Sequence, residues 1–210
     1  SNPWDVQQGV KIGTTRTLTN ASSNTYINYN LKRSPGFMDV VCYTGNGTAG
    51  VTRNHNLGVA PEMIILKSRS DDDAWYVYSS SLGATQTLQL ESDATPFTDT
   101  YLGGTWNSTT PTSTVFYNGG FNGNMSGSTY VSYLFATCSG VSKVGSYTGT
   151  GGTFTVNCGF TGGARFVLIK RTDSTGNWYV WDTARGMVAG TDPKFGLNLA
   201  SAETNANWVY

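Results

Sequence analysis

The sequence predicts an all-β protein built as tandem antiparallel β-sandwich-like units of about 103 residues. Three observations predict it. The chain matches itself at an offset of 103 to 104 residues, runs of β-branched and aromatic residues alternate with Gly, Asn, Asp and Ser turns, and only 12% of its residues are charged. An average soluble domain carries about 25%. With 38% hydrophobic and 13% aromatic residues the chain has enough apolar area to offset the entropy of folding.

Two blocks carry the repeat. At an offset of 104, Thr25-Tyr26-Ile27-Asn28-Tyr29 falls on Thr129-Tyr130-Val131-Ser132-Tyr133, Gly36 on Gly140, and Tyr43-Thr44-Gly45-Asn46-Gly47 on Tyr147-Thr148-Gly149-Thr150-Gly151. At an offset of 103, Met63-Ile64-Ile65-Leu66-Lys67 falls on Phe166-Val167-Leu168-Ile169-Lys170, and Trp75-Tyr76-Val77-Tyr78 on Trp178-Tyr179-Val180-Trp181. Composition bias aligns Gly and Thr by chance, but not ordered clusters of aromatics, apolar runs and one Lys. The chain therefore divides into the last part of one unit (1–37), a whole unit (38–140) and the first part of the next (141–210).

Within a unit the local signals are strands and turns. Stretches 62–69, 74–79, 129–136 and 165–171 are rich in Val, Ile, Tyr, Phe and Trp and are bounded by turn residues. Residues 62–69 and 165–171 read as continuous apolar runs, which fits strands covered on both faces. The turns at 43–47 and 148–152 supply residues that tolerate positive φ, and no window shows a capped helical stripe. A unit of this length with some seven short strands has the size of an antiparallel β-sandwich. Equivalent residues imply equivalent backbone, so Trp75 should superpose on Trp178 and Tyr130 on Tyr26. Tyr26, Ile27, Tyr29, Leu31 and Phe37 would then form an edge that something outside residues 1–37 must cover, either an adjacent copy or further chain.

Thirteen basic and thirteen acidic residues give a formal charge of zero, so no footprint for nucleic acid or an anionic membrane is present. The longest apolar run, Met63-Ile64-Ile65-Leu66, is far too short to span a bilayer, and Ser1 begins no signal-like segment. The chain is expected to be soluble. Trp208-Val209-Tyr210 reads as mid-strand, and the chain as an excerpt or a processed product.

His55 is the only histidine, and its counterpart in the repeat is Cys158, so the scaffold needs no imidazole there and His55→Asn should leave assembly and binding intact. No Ser/His/Asp set can be assembled, and the acids cluster in turns, so the chain is not expected to be an enzyme and no cofactor or metal is expected. Asp71-Asp72-Asp73 invites calcium, but the aligned turn is Ser174-Thr175-Gly176, and a solvated hairpin tip is the better reading. Cys42, Cys138 and Cys158 are odd in number and do not recur, so they read as free, mostly buried thiols, with Cys138 to Cys158 as the alternative pairing. Asn20, Asn46, Asn107 and Asn124 begin N-glycosylation sequons, several of which chance alone would give.

The candidate contact residues are aromatic: Trp75, Tyr76, Tyr78, Trp106, Trp178, Tyr179 and Trp181. Successive strand side chains point to opposite faces, so one face of each cluster should be core. The other suits either an interface between chains or stacking on sugar rings, and recurrence in each unit favours the interface.

Four stretches carry a family resemblance: residues 56–67 (NLGVAPEMIILK), 111–116 (PTSTVF), 128–136 (STYVSYLFA) and 166–172 (FVLIKRT). They resemble units repeated in tail-fibre and related virion proteins of bacteriophages, especially marine and cyanobacterial phages. The resemblance implies a shaft or distal module of a fibre on the extracellular virion, commonly a homotrimer, that self-associates and presents the virion to a host-surface glycan or other receptor. It implies no catalytic residues. Residues 160–164 (FTGGA) depart from the pattern of 57–61 (LGVAP), so the two units need not play equal roles. The rival reading is a secreted carbohydrate-binding module or lectin that stacks sugar on Trp75, Trp106 or Trp178.

Overall fold

The computed structural model describes residues 12, 19–187 and 192–206, and the reading of 208–210 as a strand lies outside them. The chain divides into two compact units, residues 1–31 and 32–210. In the first, the described residues form no strand longer than a bridge position; the Ala21 amide donates to the Tyr26 hydroxyl at 3.0 Å.

The second unit is all-β. Its strands are β1 (Met38–Thr44), β2 (Val51–Asn54), β3 (Met63–Ser68), β4 (Trp75–Ser79), β5 (Gln86–Gln89), β6 (Phe97–Thr98), β7 (Val115–Asn118), β8 (Thr129–Phe135), β9 (Phe166–Lys170), β10 (Trp178–Asp182), β11 (Asp192–Gly196) and β12 (Thr204–Ala206). They form a six-stranded sheet in the order β1-β8-β3-β4-β5-β6, a four-stranded sheet β12-β11-β10-β9 and a ribbon β2-β7, with every pairing antiparallel.

Period-two alternation decides what each face meets. In β3 and β8 the buried residues are Ile64, Leu66 and Ser68, and Tyr130, Ser132 and Leu134. With Tyr76 and Tyr78 of β4 these side chains form one face of the large sheet. Phe116 of β7, Trp106 and Leu57 close over it as a second layer. Trp106 stands edge-on to Tyr78 at 5.7 Å, and Tyr43 stacks on Tyr130 at 5.3 Å. Burying a side chain of Phe or Leu size contributes about 1.5–3 kcal/mol, so this layer supplies much of the unit's stability.

The layer is pinned by buried polar groups. Asn124 accepts from the Asn46 amide (3.1 Å) and Arg53 Nη2 (2.7 Å), and donates to the carbonyls of Thr48 (2.9 Å) and Gly119 (2.8 Å). Asp39 accepts from the Asn56 amide at 2.6 Å and pairs with Arg33. Burial pushes the Asp39 carboxyl up, but the Asn56 amide, Arg33 and the Val40 amide outweigh it and hold the group below the usual carboxylate range.

The opposite face of the large sheet carries Val77 and Leu88, with Met63 and Ile65 beside them, and Trp178 and Leu168 of the small sheet pack onto it. The Trp178 indole N–H donates to the Gln89 carbonyl at 2.9 Å, and the Gly176 amide to the Asp93 carbonyl at 2.9 Å. β3 is thus covered on both faces, whereas β9, which ends its sheet among the described residues, is only half-buried, with Phe166 48% exposed.

The two sheets share one meander. The β3-β4 pairs Met63↔Ser79, Ile64↔Tyr78 and Lys67↔Trp75 recur 103 residues on as Phe166↔Asp182, Val167↔Trp181 and Lys170↔Trp178. The pairs Thr87↔Phe97 and Gln86↔Thr98 recur 107 residues on as Lys194↔Thr204 and Pro193↔Asn205. Four residues are therefore inserted between the second and third strands of the later meander. Hydrogen bonds outside the ladders recur as well: Ser80 to the Glu62 carbonyl (2.8 Å) as Thr183 to Arg165 (3.0 Å), and Leu90 to Trp75 (3.0 Å) as Leu197 to Trp178 (2.8 Å). Even the side-chain cap of the strand start is kept. The Trp75 amide donates to Glu91 Oε2 and the Trp178 amide to Asn198 Oδ1, each at 3.0 Å.

The expected equivalence of Tyr26 and Tyr130 is corrected. Tyr130 is fully buried in β8, between β1 and β3, whereas residues 25–29 form no strand, and Tyr26 and Tyr29 are each 45% exposed. A strand in this fold is held by neighbours on its flanks, and residues 25–29 have no strand beside them among the described residues. The same holds for residues 142–148, the counterpart of β1.

Candidate functional site

Of the seven aromatic candidates, five lie in the interior: Tyr76, Tyr78, Trp106, Trp178 and Trp181 are between 1% and 6% exposed. They are corrected from contact residues to core residues. Tyr76, Tyr78 and Trp106 belong to the layer under the large sheet, and Trp178 is the wedge between the two sheets. Tyr179 is half-buried, with Lys194 Nζ 4.0 Å above its ring and Trp181 at 5.9 Å. Only Trp75 presents its indole to solvent, at 36% exposure.

Trp75 is the first residue of β4, directly after the hairpin tip that contains the three aspartates. Register sets Lys67 opposite it on β3. Together with Asp72, Asp73, Ala74 and Glu91 these two residues line an open cleft of about 500 Å³. The walls are fixed from behind. Asp73 Oδ1 accepts from the Ala74 amide (2.8 Å) and the Tyr76 hydroxyl (2.9 Å), Lys67 Nζ donates to the Asp73 carbonyl, and Glu91 is tied to the Trp75 amide. Burial, followed by the bond to Asp73, raises the Tyr76 hydroxyl above its ordinary value, so it stays a donor. An indole face flanked by carboxylates and one ammonium can stack on a sugar ring while its rim exchanges hydrogen bonds with hydroxyls.

The Asp71–Asp73 turn is a hairpin tip. Asp71 accepts from Ser68 Oγ and Ser70 Oγ, each at 3.0 Å, and hydroxyls of Ser128, Ser68 and Ser70 hold it below the usual carboxylate range. Among the described residues no group of three or more His, Cys, Asp or Glu side chains could hold a metal ion, and no helix is long and apolar enough to cross a membrane.

His55 is 6% exposed and structural. The Leu57 amide donates to Nδ1 at 3.2 Å, which leaves the Nε2 proton to meet the Thr112 carbonyl at 3.2 Å. Burial lowers its pKa from the ordinary 6.5, against the Thr112 carbonyl. The unfolded chain therefore takes up the proton first, and stability is full above pH 6.5 and declines as pH falls from there through the folded value. In His55→Asn, whose amide oxygen can accept from Leu57 and does not titrate, melting temperatures between pH 7 and pH 5 should lose this component of their slope.

All three cysteines are free, and Cys42 is exposed, which corrects the expectation of mostly buried thiols: it lies on β1, the outermost strand of the large sheet. Asn124 is fully buried, so its sequon is closed to glycosylation in the fold.

One surface was not foreseen. Tyr101, Leu102 and Phe121 are 68%, 51% and 48% exposed, with the two rings 5.8 Å apart. Leu102 holds φ at +48°. A branched side chain rarely adopts that conformation, and the Gly120 amide bond to its carbonyl (2.8 Å) keeps it there. Only the spacing of Tyr101-Leu102 outside any alternating run hinted at this in the sequence.

Among family models, the one described as Domain of unknown function (DUF7483) matches residues 4–208. No curated protein and no solved structure matches the chain.

Proposed function

The chain belongs to the DUF7483 family, and we propose that it is a structural fibre module of a phage virion, a tail-fibre or adhesin segment that self-associates through β units and serves attachment to a host surface. The observation that carries the reading is the recurrence of one four-stranded meander in one register, 103 and then 107 residues apart. Serial β units are how a shaft gains length from a short genetic unit. Two further features support it. Low charge with a net of zero leaves little repulsion between copies. Large apolar side chains also stand in solvent, including Tyr101, Leu102, Phe121, Val141 and Phe166, and such side chains mark association surfaces when clustered. His55 is buried and its counterpart in the repeat is Cys158, so the reading gives it no catalytic role. Negative-stain electron microscopy of the purified chain tests the reading: elongated or multimeric particles are expected, and uniform single globules at all concentrations would refute it.

A second reading, a carbohydrate-binding module, is favoured by the Trp75 cleft alone. On that reading Trp75→Ala weakens retention on the glycan it recognises by roughly 5- to 150-fold, from about 1–3 kcal/mol for one stacked ring, by analogy with base stacking. The unfolding free energy should fall by less than about 1 kcal/mol, since the indole is partly exposed. A glycan array that shows equal signals for both proteins removes this reading.

A further inference from the structure

We propose that the outer edge of β9 is a docking edge for residues 25–31 of a second copy of this chain, added as an antiparallel strand in the register that β8 keeps on β3. The proposal rests on the fibre reading and deepens it by naming the joint.

In the complete unit β8 lies between β1 and β3, and its pairing with β3 runs from Met63↔Phe135 to Ser68↔Tyr130. β9 is the counterpart of β3 in sequence and in its register against the following strand. Yet β9 is the terminal strand of its sheet among the described residues. Among the described residues no strand stands beside β9 in the position that β8 fills beside β3.

The sequence that matches β8 is residues 25–31. Thr, Tyr, Ile, Asn, Tyr, Asn and Leu stand where β8 has Thr, Tyr, Val, Ser, Tyr, Leu and Phe. This segment is not a strand, and two of its apolar side chains are half in solvent: Ile27 is 47% and Leu31 53% exposed. Carried over, the β8 register sets Leu31 opposite Phe166, Tyr29 opposite Leu168 and Asn28 opposite Ile169. One face of the added strand would then be Ile27, Tyr29 and Leu31, next to Phe166 and Leu168 on the same face of β9. The other face carries Tyr26 and two amides, with Asn30 where β8 has Leu134. That departure makes the inner face more polar than in the complete unit, as suits a joint formed after each copy has folded. Residues 142–148, the counterpart of β1, would flank the new strand on its far side, setting Tyr147 (49% exposed) opposite Tyr26.

Strand addition satisfies a row of backbone donors and acceptors at once and takes its selectivity from alternate side chains. Because the segment and the edge lie on different parts of the chain, the contact is head-to-tail. It propagates as a filament or closes as a ring, and it cannot close as a two-fold dimer through one such contact.

Disulfide trapping between two separately made variants tests the joint. In a background with Cys42, Cys138 and Cys158 replaced by Ser, Asn28→Cys is mixed with Ile169→Cys under mild oxidation, and Asn28→Cys with Val167→Cys serves as the register-shifted control. Opposed positions hold Cβ atoms about 4.5–5.5 Å apart, so the first mixture should yield mixed covalent dimer at least about tenfold faster than the control. Equal yields overturn the register, and no mixed dimer overturns the joint. In the double variant Asn28→Cys/Ile169→Cys, a cross-link confined to single chains also overturns it, by assigning the edge to the chain's own segment. Sedimentation of the unmodified chain separates the two levels: oligomers without the trapped dimer refute the joint alone, whereas a monomer without it refutes the fibre reading too. Hydrogen exchange on the unmodified chain gives a second readout. Protection of 25–31 and 166–170 should rise with concentration, and protection independent of concentration counts against the joint.

Discussion

Trp178→Ala is expected to lower the unfolding free energy by about 3–5 kcal/mol, the range for removing a large aromatic from a core. Trp178 is 4% exposed and sits on Val77 and Leu88 of the large sheet, while its indole N–H holds the Gln89 carbonyl. The two sheets meet here, and nearby residues cannot collapse into the space because strands β4 and β5 are fixed by their own ladders. The substitution thus removes apolar contact and takes from the Gln89 carbonyl the shorter of its two hydrogen bonds, leaving the Ser92 amide at 3.3 Å. Trp75→Ala, at the same place in the earlier meander, should cost less than about 1 kcal/mol, the usual range for an exposed site. Urea denaturation of both variants decides it: similar losses would mean that Trp178 is not the wedge described above.

Asn124→Ala should be nearly as damaging, at about 3–4 kcal/mol, through polar groups rather than apolar ones. The Asn124 amide ties together the Asn46 turn, the Thr48 and Gly119 carbonyls and Arg53. Its loss leaves the buried Gly119 carbonyl and the Thr48 carbonyl without this donor and takes one acceptor from Arg53, whose Nε keeps Asn118 at 3.2 Å; an unmet buried polar group costs about 1–3 kcal/mol, not fully additive. Asn124→Asp keeps the acceptor for Arg53 but cannot donate to Thr48 or Gly119, so it should rescue only part of the loss. If chemical denaturation shows Asn124→Ala within about 0.5 kcal/mol of the parent, the scatter of surface substitutions, the network is not what pins the second layer.

Sequence reading reached the first hairpin of each meander because paired apolar residues, Trp and Lys stand at equal spacing in both. The second hairpin escaped it. Gln86–Gln89 and Asp192–Gly196 share no residue pattern, and the four-residue insertion shifts their offset from 103 to 107. Burial of the aromatics was half legible. Alternation assigns Tyr76 and Tyr78 to one face, but nothing local separates Trp75 from Trp178. Their motifs are alike, and what differs is the surface each one meets. Residues 25–29 carry a strand pattern and form none, because strand propensity expresses packing against neighbours more than a preference of the backbone. The exposed Tyr101-Leu102-Phe121 cluster depends on a left-handed Leu102 that sequence alone does not announce.

The mass of the chain in solution tests the proposed self-association most directly. Sedimentation equilibrium over a wide concentration range should give a stable multiple of 22.5 kDa, with three copies expected from the tail-fibre resemblance. A single species of 22.5 kDa at every concentration would contradict the account.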